Sequence, residues 1–329
     1  MKRALPPTVI LMVATALSQP AGAYLRIGDQ VGEPRMVWKR LPVTYFVTDR
    51  GVPGVSPLQL QSAIDRSFRV WNDLPTASTP FRFGGFTSAA PGYEDGLTTL
   101  GFLDRPEFAG VLGATAHVID VQTGEIIESD ILFNAAYPWS VADGGETGKF
   151  DVESVAVHEI GHLLGLGHSG LGEVEARTGS IKAVAAEAVM FPLAFDPGTI
   201  DGRRLKADDV AGISGLYPEA AFRSQTGSVR GRVRLAGHGA LRAHIVAFNP
   251  QTRRLIAGFA LGPEGDFTIE GLDPGLHILR VEPIDDGTVA SFFDPSEVDV
   301  GFKTKYSERL VVVPRGGSAT APDITVEAK

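Results

Sequence analysis

Residues 158–168 read HEIGHLLGLGH and carry the most informative spacing in the chain. On a helix, His158 and His162 lie four residues apart, so their imidazoles project from the same face. Gly165 can adopt a positive φ and end that helix, which would turn the chain and bring His168 back as a third ligand. Three neutral histidines suit Zn²⁺ and leave a fourth coordination position open for water. The stretch therefore predicts a helix that ends in a zinc site of the catalytic kind.

Glu159 follows the first of these histidines on the same helical turn. Its carboxylate can reach a water on the metal without binding the ion, which is the position of a general base. An amphipathic helix with incidental histidines has no need of a carboxylate here, and neither has a purely structural zinc site. We therefore predict Glu159 as the catalytic residue and one Zn²⁺ as the cofactor.

The composition excludes several other kinds of chemistry. The chain has 329 residues, a formal net charge of -9 and no cysteine. The lack of cysteine excludes disulfides, thiolate metal sites and a cysteine nucleophile, so any metal must be held by His, Asp or Glu. The acidic balance provides no basic surface for nucleic acid. The length predicts two domains rather than one.

The first residues have the pattern of a secretory signal peptide. Lys2 and Arg3 precede an apolar run over 8–17, and the small residues 21–23 (AGA) then match a cleavage site. The apolar run is too short to cross a bilayer comfortably, and no later stretch could span one. We therefore expect residues 1–23 to direct secretion, or export to the periplasm in a bacterium. A secreted chain without cysteine suits a bacterial protein better than a small disulfide-stapled eukaryotic domain.

The region 24–219 predicts an α+β domain. Residues 41–48 (LPVTYFVT) predict a strand, and Ser56-Pro57 then opens a helix as N-cap and first-turn proline. Further strand patterns lie near 98–103, 112–119 and 130–133, and further helical patterns lie over 151–165 and 206–216. Together these elements predict a mixed, twisted sheet with three main helices.

From residue 227 to residue 329 the pattern changes to short alternating runs separated by turn residues. That spacing predicts an all-β sandwich. The polar segment at about 218–227 (PEAAFRSQTG) has the composition of a linker. The histidines of this part, His238, His244 and His277, are too scattered to predict a second metal centre.

These motifs resemble those of the metzincin metalloproteases and, within them, the matrixins. The extended zinc motif is the core of the match. Residues 188–192 (AVMFP) resemble the family's Met-turn, which implies that Met190 forms an apolar floor beneath the zinc. The resemblance covers about residues 36–218. It implies a metzincin catalytic domain and a secreted zinc endopeptidase that hydrolyses internal bonds of protein or peptide substrates through a zinc-activated water.

Residues 205–217 are similar to the last helix of the family. The resemblance implies that an aspartate of this helix, here Asp208 or Asp209, ties it to the Met-turn. Acidic residues in a first helical turn also favour the helix dipole, and both roles can hold together.

The chain departs from the vertebrate matrixins in several places. Without cysteine, we expect no cysteine-based latency. Ala114 and Leu132 stand where a second, structural zinc would need histidines, so we expect that site to be absent, and we expect His117 nearby to be a structural or surface residue. The segment that connects the third histidine to the Met-turn, residues 169–189, is longer than is usual in the family and contains a helix-prone stretch, IKAVAAEA. The residues that would form the wall of the family's substrate pocket are 192–194 (PLA) here, with a phenylalanine next. The family's preference for particular substrate side chains therefore cannot be carried over to this chain.

Calcium is a second cofactor that the resemblance allows. Asp130, Asn134, Asp151 and Glu153 offer oxygen ligands near the places where matrixins hold structural calcium. Simple solvation of loop acids is the alternative.

Residues 227–285 resemble the carboxypeptidase regulatory-like domain, a transthyretin-like β-sandwich. The matching stretches are 227–233 (GSVRGRV), 265–269 (GDFTI) and 271–276 (GLDPGL). They specify fold and not chemistry. Structural support and targeting to a surface or substrate are both open roles for this part. Two other functions stay open for the whole chain. One is a secreted binding or adhesion protein with structural zinc, and the other is a peptidase restricted to short peptides.

Overall fold

The structure is a computed structural model that describes residues 10–11, 25–27, 35–105, 108–177, 180–193, 196–285 and 288–329, with the backbone alone for 10–11 and 175–184. Of the expected signal peptide, only β1 (Ile10–Leu11) falls within these residues. That prediction therefore lies almost wholly outside the described residues.

The first helix, α1 (Pro57–Asn72), begins where the sequence predicts. The Ser56 hydroxyl accepts a hydrogen bond from the Gln59 N–H, and the Gln59 side chain accepts one from the Ser56 N–H. This capping box satisfies two N–H groups that the first helical turn would otherwise leave unpaired. The buried face of α1 consists of Leu60, Ala63, Ile64, Ser67, Phe68 and Trp71.

The sheet of the N-terminal part is mixed, as predicted. β2 (Val43–Thr48) pairs in parallel with β3 (Phe81–Thr87) and with β4 (Thr98–Leu103). β6 (Glu125–Asn134) continues the sheet, parallel to β4 and antiparallel to β5 (Gly113–Asp120). Among the described strands the spatial order is β1-β5-β6-β4-β2-β3. The strand β5 therefore lies toward one side of the sheet, next to β1.

Two further helices complete this part. The short strands β7 (Trp139–Ser140) and β8 (Phe150–Asp151) pair in parallel and lead into α2 (Val152–Leu163). α2 packs against α1 and β5, and α3 (Ala207–Leu216) follows near the end of this part. The prediction of an α+β domain with three main helices is confirmed.

Two elements of this part differ from the sequence predictions. β3 was not predicted, because the Gly84-Gly85 pair interrupts the apolar alternation of its sequence. The stretch IKAVAAEA was expected to favour a helix, but β9 (Gly172–Arg177) and β10 (Ser180–Ala186) form an antiparallel hairpin. Alanine's helix propensity is a weak preference, and a paired strand satisfies the same backbone groups. The helical expectation was wrong.

The C-terminal part is built from strands in two sheets. In the first sheet, β11 (Gly227–Leu235) pairs with β12 (His238–Gly239), β15 (Asp266–Leu272), β19 (Ser318–Thr320) and β20 (Ile324–Val326). The second sheet contains β13 (His244–Phe248), β14 (Leu255–Phe259), β16 (Gly275–Glu282), β17 (Lys305–Tyr306) and β18 (Val311–Val313). The C-terminal part is therefore a β region, as predicted. Its assignment as a sandwich stays a prediction, and the name sandwich is kept for residues 227–329 below.

The two parts are in direct contact. The segment expected to be a linker contains a short helix, α4 (Ala220–Gln225), whose Phe222 is buried. The helix α3 packs on β14 and β15, and Arg26 bonds Glu270 at 2.8 Å. Buried apolar residues of both parts belong to one continuous cluster. The expected polar linker is therefore a packed element, while the exact domain limits stay a prediction.

Among the described residues, no helix is both long and apolar enough to cross a membrane.

Candidate metal centre

The turn at the end of α2 brings the three histidines of the motif together. His158 and His162 project from one face of α2, with ring centroids 4.8 Å apart. Gly165 has a φ of +97°, the left-handed conformation that glycine adopts at low cost, and the chain reverses there. The ring of His168 then lies 4.7 Å from that of His162 and 5.4 Å from that of His158. One ring nitrogen from each histidine lies within 4.8 Å of the others.

Backbone carbonyls fix the orientation of all three rings. The Nδ1 atoms of His158, His162 and His168 each lie 2.8 Å from a carbonyl oxygen, of Val189, Leu166 and Ser291 respectively. A carbonyl only accepts, so each Nδ1 carries the hydrogen. In a neutral imidazole the lone pair is then on Nε2. The structure therefore presents three Nε2 lone pairs as potential ligands.

The geometry of these nitrogens fits a zinc ion. The Nε2 atoms of His162 and His168 are 3.2 Å apart. Two lone pairs at this distance repel each other unless a cation lies between them, and burial lowers the pKa of the rings, that of His168 to about 4. Tetrahedral Zn²⁺ with bonds of about 2.0–2.1 Å separates its nitrogens by roughly 3.3 Å. Over the described residues, no other group of three His, Asp or Glu side chains converges in this way.

Glu159 lies beside the histidines, between α2 and β5. Its side chain is buried, and the Thr115 hydroxyl donates to its Oε2 at 2.7 Å. A β-carbon at Gly113 would lie 2.7 Å from its Oε1, so glycine leaves room for the carboxylate. Burial raises the pKa of Glu159 to about 7, although the Thr115 hydrogen bond opposes the rise. A carboxyl group with that pKa can take up and release a proton near neutral pH.

Thr115 was not predicted from the sequence. It lies on β5, 44 residues before the glutamate that it contacts, and no motif links the two positions. Only the packing of α2 on β5 brings them together.

Met190 packs against α2 between the first two histidines of the motif. It is buried, and its Sδ contacts Gly161 so closely that a β-carbon there would collide with it. The carbonyl of Met190 accepts a hydrogen bond from the N–H of Ser169, the residue after the third histidine. This is the place where the resemblance implies an apolar floor. The role of Met190 beneath a metal stays a prediction.

The two aspartates of α3 have separate partners. Asp209 accepts hydrogen bonds from the backbone N–H groups of Val189, Met190 and Lys206 at 2.9, 3.1 and 2.8 Å. It is therefore Asp209 that ties α3 to the Met-turn. Asp208 accepts from other groups, which belong to the loop after His168 and to the sandwich. Burial raises the pKa of Asp209 to about 6 and that of Asp208 to about 7.

Replacing Asp209 with alanine is expected to lower the free energy of unfolding by about 3–5 kcal/mol, because the buried N–H groups of Val189 and Met190 and the half-buried N–H of Lys206 lose their acceptor. Denaturant unfolding of the metal-free protein measures this change. The exposed Asp143 provides the control, since Asp143→Ala should stay within about 0.5 kcal/mol of the wild type. Equal stability of the two variants would contradict this role of Asp209.

The four residues expected to bind calcium are engaged within the protein. Asp130 accepts hydrogen bonds from two backbone N–H groups, and the amide of Asn134 donates to two backbone carbonyls. Arg203 bonds Asp151 at 2.6 Å and lies 3.8 Å from Glu153. These contacts stabilise loops and the start of α2. The calcium prediction gains no support from this arrangement.

Among the described residues, none of the other positions that the sequence singles out joins the group of three histidines. Ala114 and Leu132 are register partners in the β5–β6 pair and offer no ligand atom. His117 is buried rather than at the surface, and burial lowers its pKa to about 4. The pocket wall at 192–194 lies only partly within the described residues, which omit 194 and 195.

Comparison with known proteins assigns the family. Residues 37–218 match the sequence profile of the family described as matrixin. The chain is 31% identical to Metalloendoproteinase 2-MMP of Arabidopsis thaliana over 201 residues, which cover 56% of this chain and 43% of the relative. It is 28% identical to Matrix metalloproteinase-20 of Homo sapiens over 192 residues, which cover 58% and 34%. It thus spans less than half the length of these relatives. The matched profile includes the three histidines, Glu159 and Met190 and covers more than half of this chain, which therefore belongs to the matrixin family.

Proposed function

We propose that this chain is an exported zinc endopeptidase that hydrolyses internal peptide bonds. The observation that carries the proposal is the orientation of three imidazoles, each with Nδ1 bonded to a carbonyl and Nε2 turned toward the others. Glu159, whose side chain is buried, directly follows the first of these histidines on α2. A donor set of three neutral histidines with an adjacent carboxylate supports catalysis rather than a closed structural site.

His158, His162 and His168 would hold the metal through Nε2. When bound, Zn²⁺ would lower the pKa of a coordinated water and would polarise the carbonyl of the peptide bond to be cleaved. Glu159 accepts the proton of the attacking water and passes it to the nitrogen of the departing amine. The Thr115 hydroxyl holds the carboxylate of Glu159 in place through its 2.7 Å hydrogen bond.

The substrate class and the destination of the protein are part of this proposal. The relatives are named metalloendoproteinases, matrix metalloproteinases and, in one case, a macrophage metalloelastase, which supports a protein substrate. The pattern of residues 1–23 supports export, to the outside of the cell or to a bacterial periplasm. A net charge of -9 gives no support to nucleic-acid binding.

Removal of the metal is expected to abolish cleavage of a denatured protein substrate such as casein, and added Zn²⁺ should restore it. The measurement is mass spectrometry of the fragments before chelation, after chelation and after zinc is returned. New ends in the interior of long chains identify an endopeptidase, whereas activity on short peptides alone would identify the narrower peptidase. A zinc-loaded protein that cleaves neither substrate would support the binding or adhesion protein instead.

A further inference from the structure

The third histidine of the motif is held by the sandwich. The carbonyls that accept from His158 and His162 belong to the N-terminal part. The carbonyl that accepts from His168 belongs to Ser291, 123 residues later in the chain. Ser291 lies in a short 3-10 turn, Val289–Ser291, between β16 and β17. One of the three ring orientations therefore depends on a segment outside the region that matches the matrixin profile.

This 3-10 turn is fixed by aromatic packing. Phe292 is 4% exposed, and its ring centroid lies 6.1 Å from that of His168 and 5.7 Å from that of Phe259 on β14. Phe293 is fully buried, and its ring centroid lies 5.1 Å from that of Phe259 and 6.4 Å from that of Phe292. These three rings and Val289 of the turn belong to one buried apolar cluster. The Ser291 carbonyl therefore has a defined position next to the imidazole.

A second contact ties the loop after His168 to the sandwich. The Ser169 hydroxyl donates to Oδ2 of Asp208 at 2.7 Å. The other oxygen of Asp208 accepts from the backbone N–H of Ala257 on β14 at 2.8 Å. The carboxylate of Asp208 thus joins the residue that follows the third histidine to a strand of the sandwich.

Close packing at Gly170 makes a third contact. A β-carbon at Gly170 would lie 2.8 Å from Nε2 of His244 on β13, closer than such atoms approach. The next residue, Leu171, packs with Val246 and Ala257 of the sandwich. The loop after the third histidine therefore packs directly on the sandwich at Gly170 and Leu171.

We propose that the sandwich is a structural part of the metal centre, with the Ser291 carbonyl as the positioning group for His168. This inference rests on the proposed zinc site. Partners of the second ring nitrogen fix the tautomer and orientation of a ligating histidine, and their loss typically weakens metal binding by about 10–100-fold. A sandwich that only targeted the enzyme to a surface would contribute nothing to zinc affinity.

The first test compares two phenylalanines of the sandwich. Phe292→Ala removes the ring that supports the Ser291 carbonyl, and Phe302→Ala removes a fully buried ring elsewhere in the sandwich. The zinc dissociation constant of each purified, metal-free full chain is measured by competition with a chromophoric chelator. We expect Phe292→Ala to bind zinc about 10–100-fold more weakly than the wild type. Phe302→Ala should stay within about threefold, although both variants unfold at lower temperature.

The second test uses the contact at Gly170 and does not depend on removing a core ring. Gly170→Ala should weaken zinc binding, because the new methyl group displaces the loop from His244. The double variant Gly170→Ala/His244→Ala should recover most of the lost affinity, because it removes the ring that collides. His244→Ala alone measures what the ring itself contributes to zinc affinity, and the double variant should bind zinc as this single variant does.

The outcomes separate this inference from the proposed function. Wild-type protein without zinc affinity would overturn the zinc site and this inference together. Wild-type affinity with equal dissociation constants for Phe292→Ala and Phe302→Ala would overturn the role of the sandwich alone. If Phe292→Ala does not fold, the Gly170 pair decides, and a loss that His244→Ala fails to repair contradicts the inference.

Discussion

Replacing Glu159 with alanine is expected to lower kcat on a protein substrate by about 10²–10⁴-fold, the usual contribution of a positioned general acid–base group. Zinc content should stay near one ion per chain, because the three Nε2 atoms belong to histidines and their Nδ1 atoms bond backbone carbonyls. The measurement pairs steady-state kinetics with elemental analysis of the dialysed protein. Turnover and metal content should thus separate in this variant.

Two further variants, Glu159→Gln and Glu308→Ala, test whether the loss of activity is due to the missing proton acceptor. Glu159→Gln keeps the size of the side chain and an oxygen that can accept from the Thr115 hydroxyl, but it cannot accept a proton from water. It should therefore be about as inactive as the alanine variant. Glu308→Ala removes a carboxylate that is 86% exposed and should leave kcat unchanged. Casein cleavage at the normal rate by Glu159→Ala would defeat the proposed mechanism.

Loss of His158 is expected to remove metal and activity together. His158→Ala leaves two of the three nitrogen ligands, so zinc affinity should fall by at least about 10²-fold, a few kcal/mol of binding free energy. In the wild type, added zinc should raise the unfolding temperature, because the ion binds the folded state preferentially. The variant should show little of this rise. Differential scanning calorimetry with and without zinc measures the difference.

The exposed His238 of the sandwich provides the control for this loss. His238→Ala should keep the zinc-dependent rise in unfolding temperature, the zinc content and the kcat of the wild type. His158→Ala protein that retained one tightly bound zinc and full activity would show that the metal is held elsewhere. That result would remove the basis of the proposed function.

The features that the sequence predicts correctly depend on neighbours along the chain. The start of α1 follows from Ser56 and Gln59, three residues apart, whose side chains complete the capping box. The convergence of His158 and His162 follows from their four-residue separation on α2, and the turn that returns His168 follows from Gly165. In each case the interacting groups lie within a few residues of one another.

The features that the sequence leaves undecided depend on distant contacts. IKAVAAEA has good helix formers, yet its backbone pairs with β9 in a hairpin. The resemblance could not distinguish Asp208 from Asp209, since both begin the same helix. Their partners separate them: Asp209 bonds the Met-turn, and Asp208 bonds Ser169 and the sandwich.

At the metal centre, too, contacts between near neighbours in the chain could be predicted and contacts between distant residues could not. The three imidazoles and their carboxylate neighbour could be predicted from the sequence, because helical spacing and one glycine place these groups locally. The motif that they form also carries the resemblance to the matrixins. Only the tertiary structure decided what orients these side chains: Thr115 from β5 for Glu159, and the Ser291 carbonyl for His168. A backbone carbonyl has no signature in a sequence, and a contact across 123 residues depends on how two sheets and a helix pack.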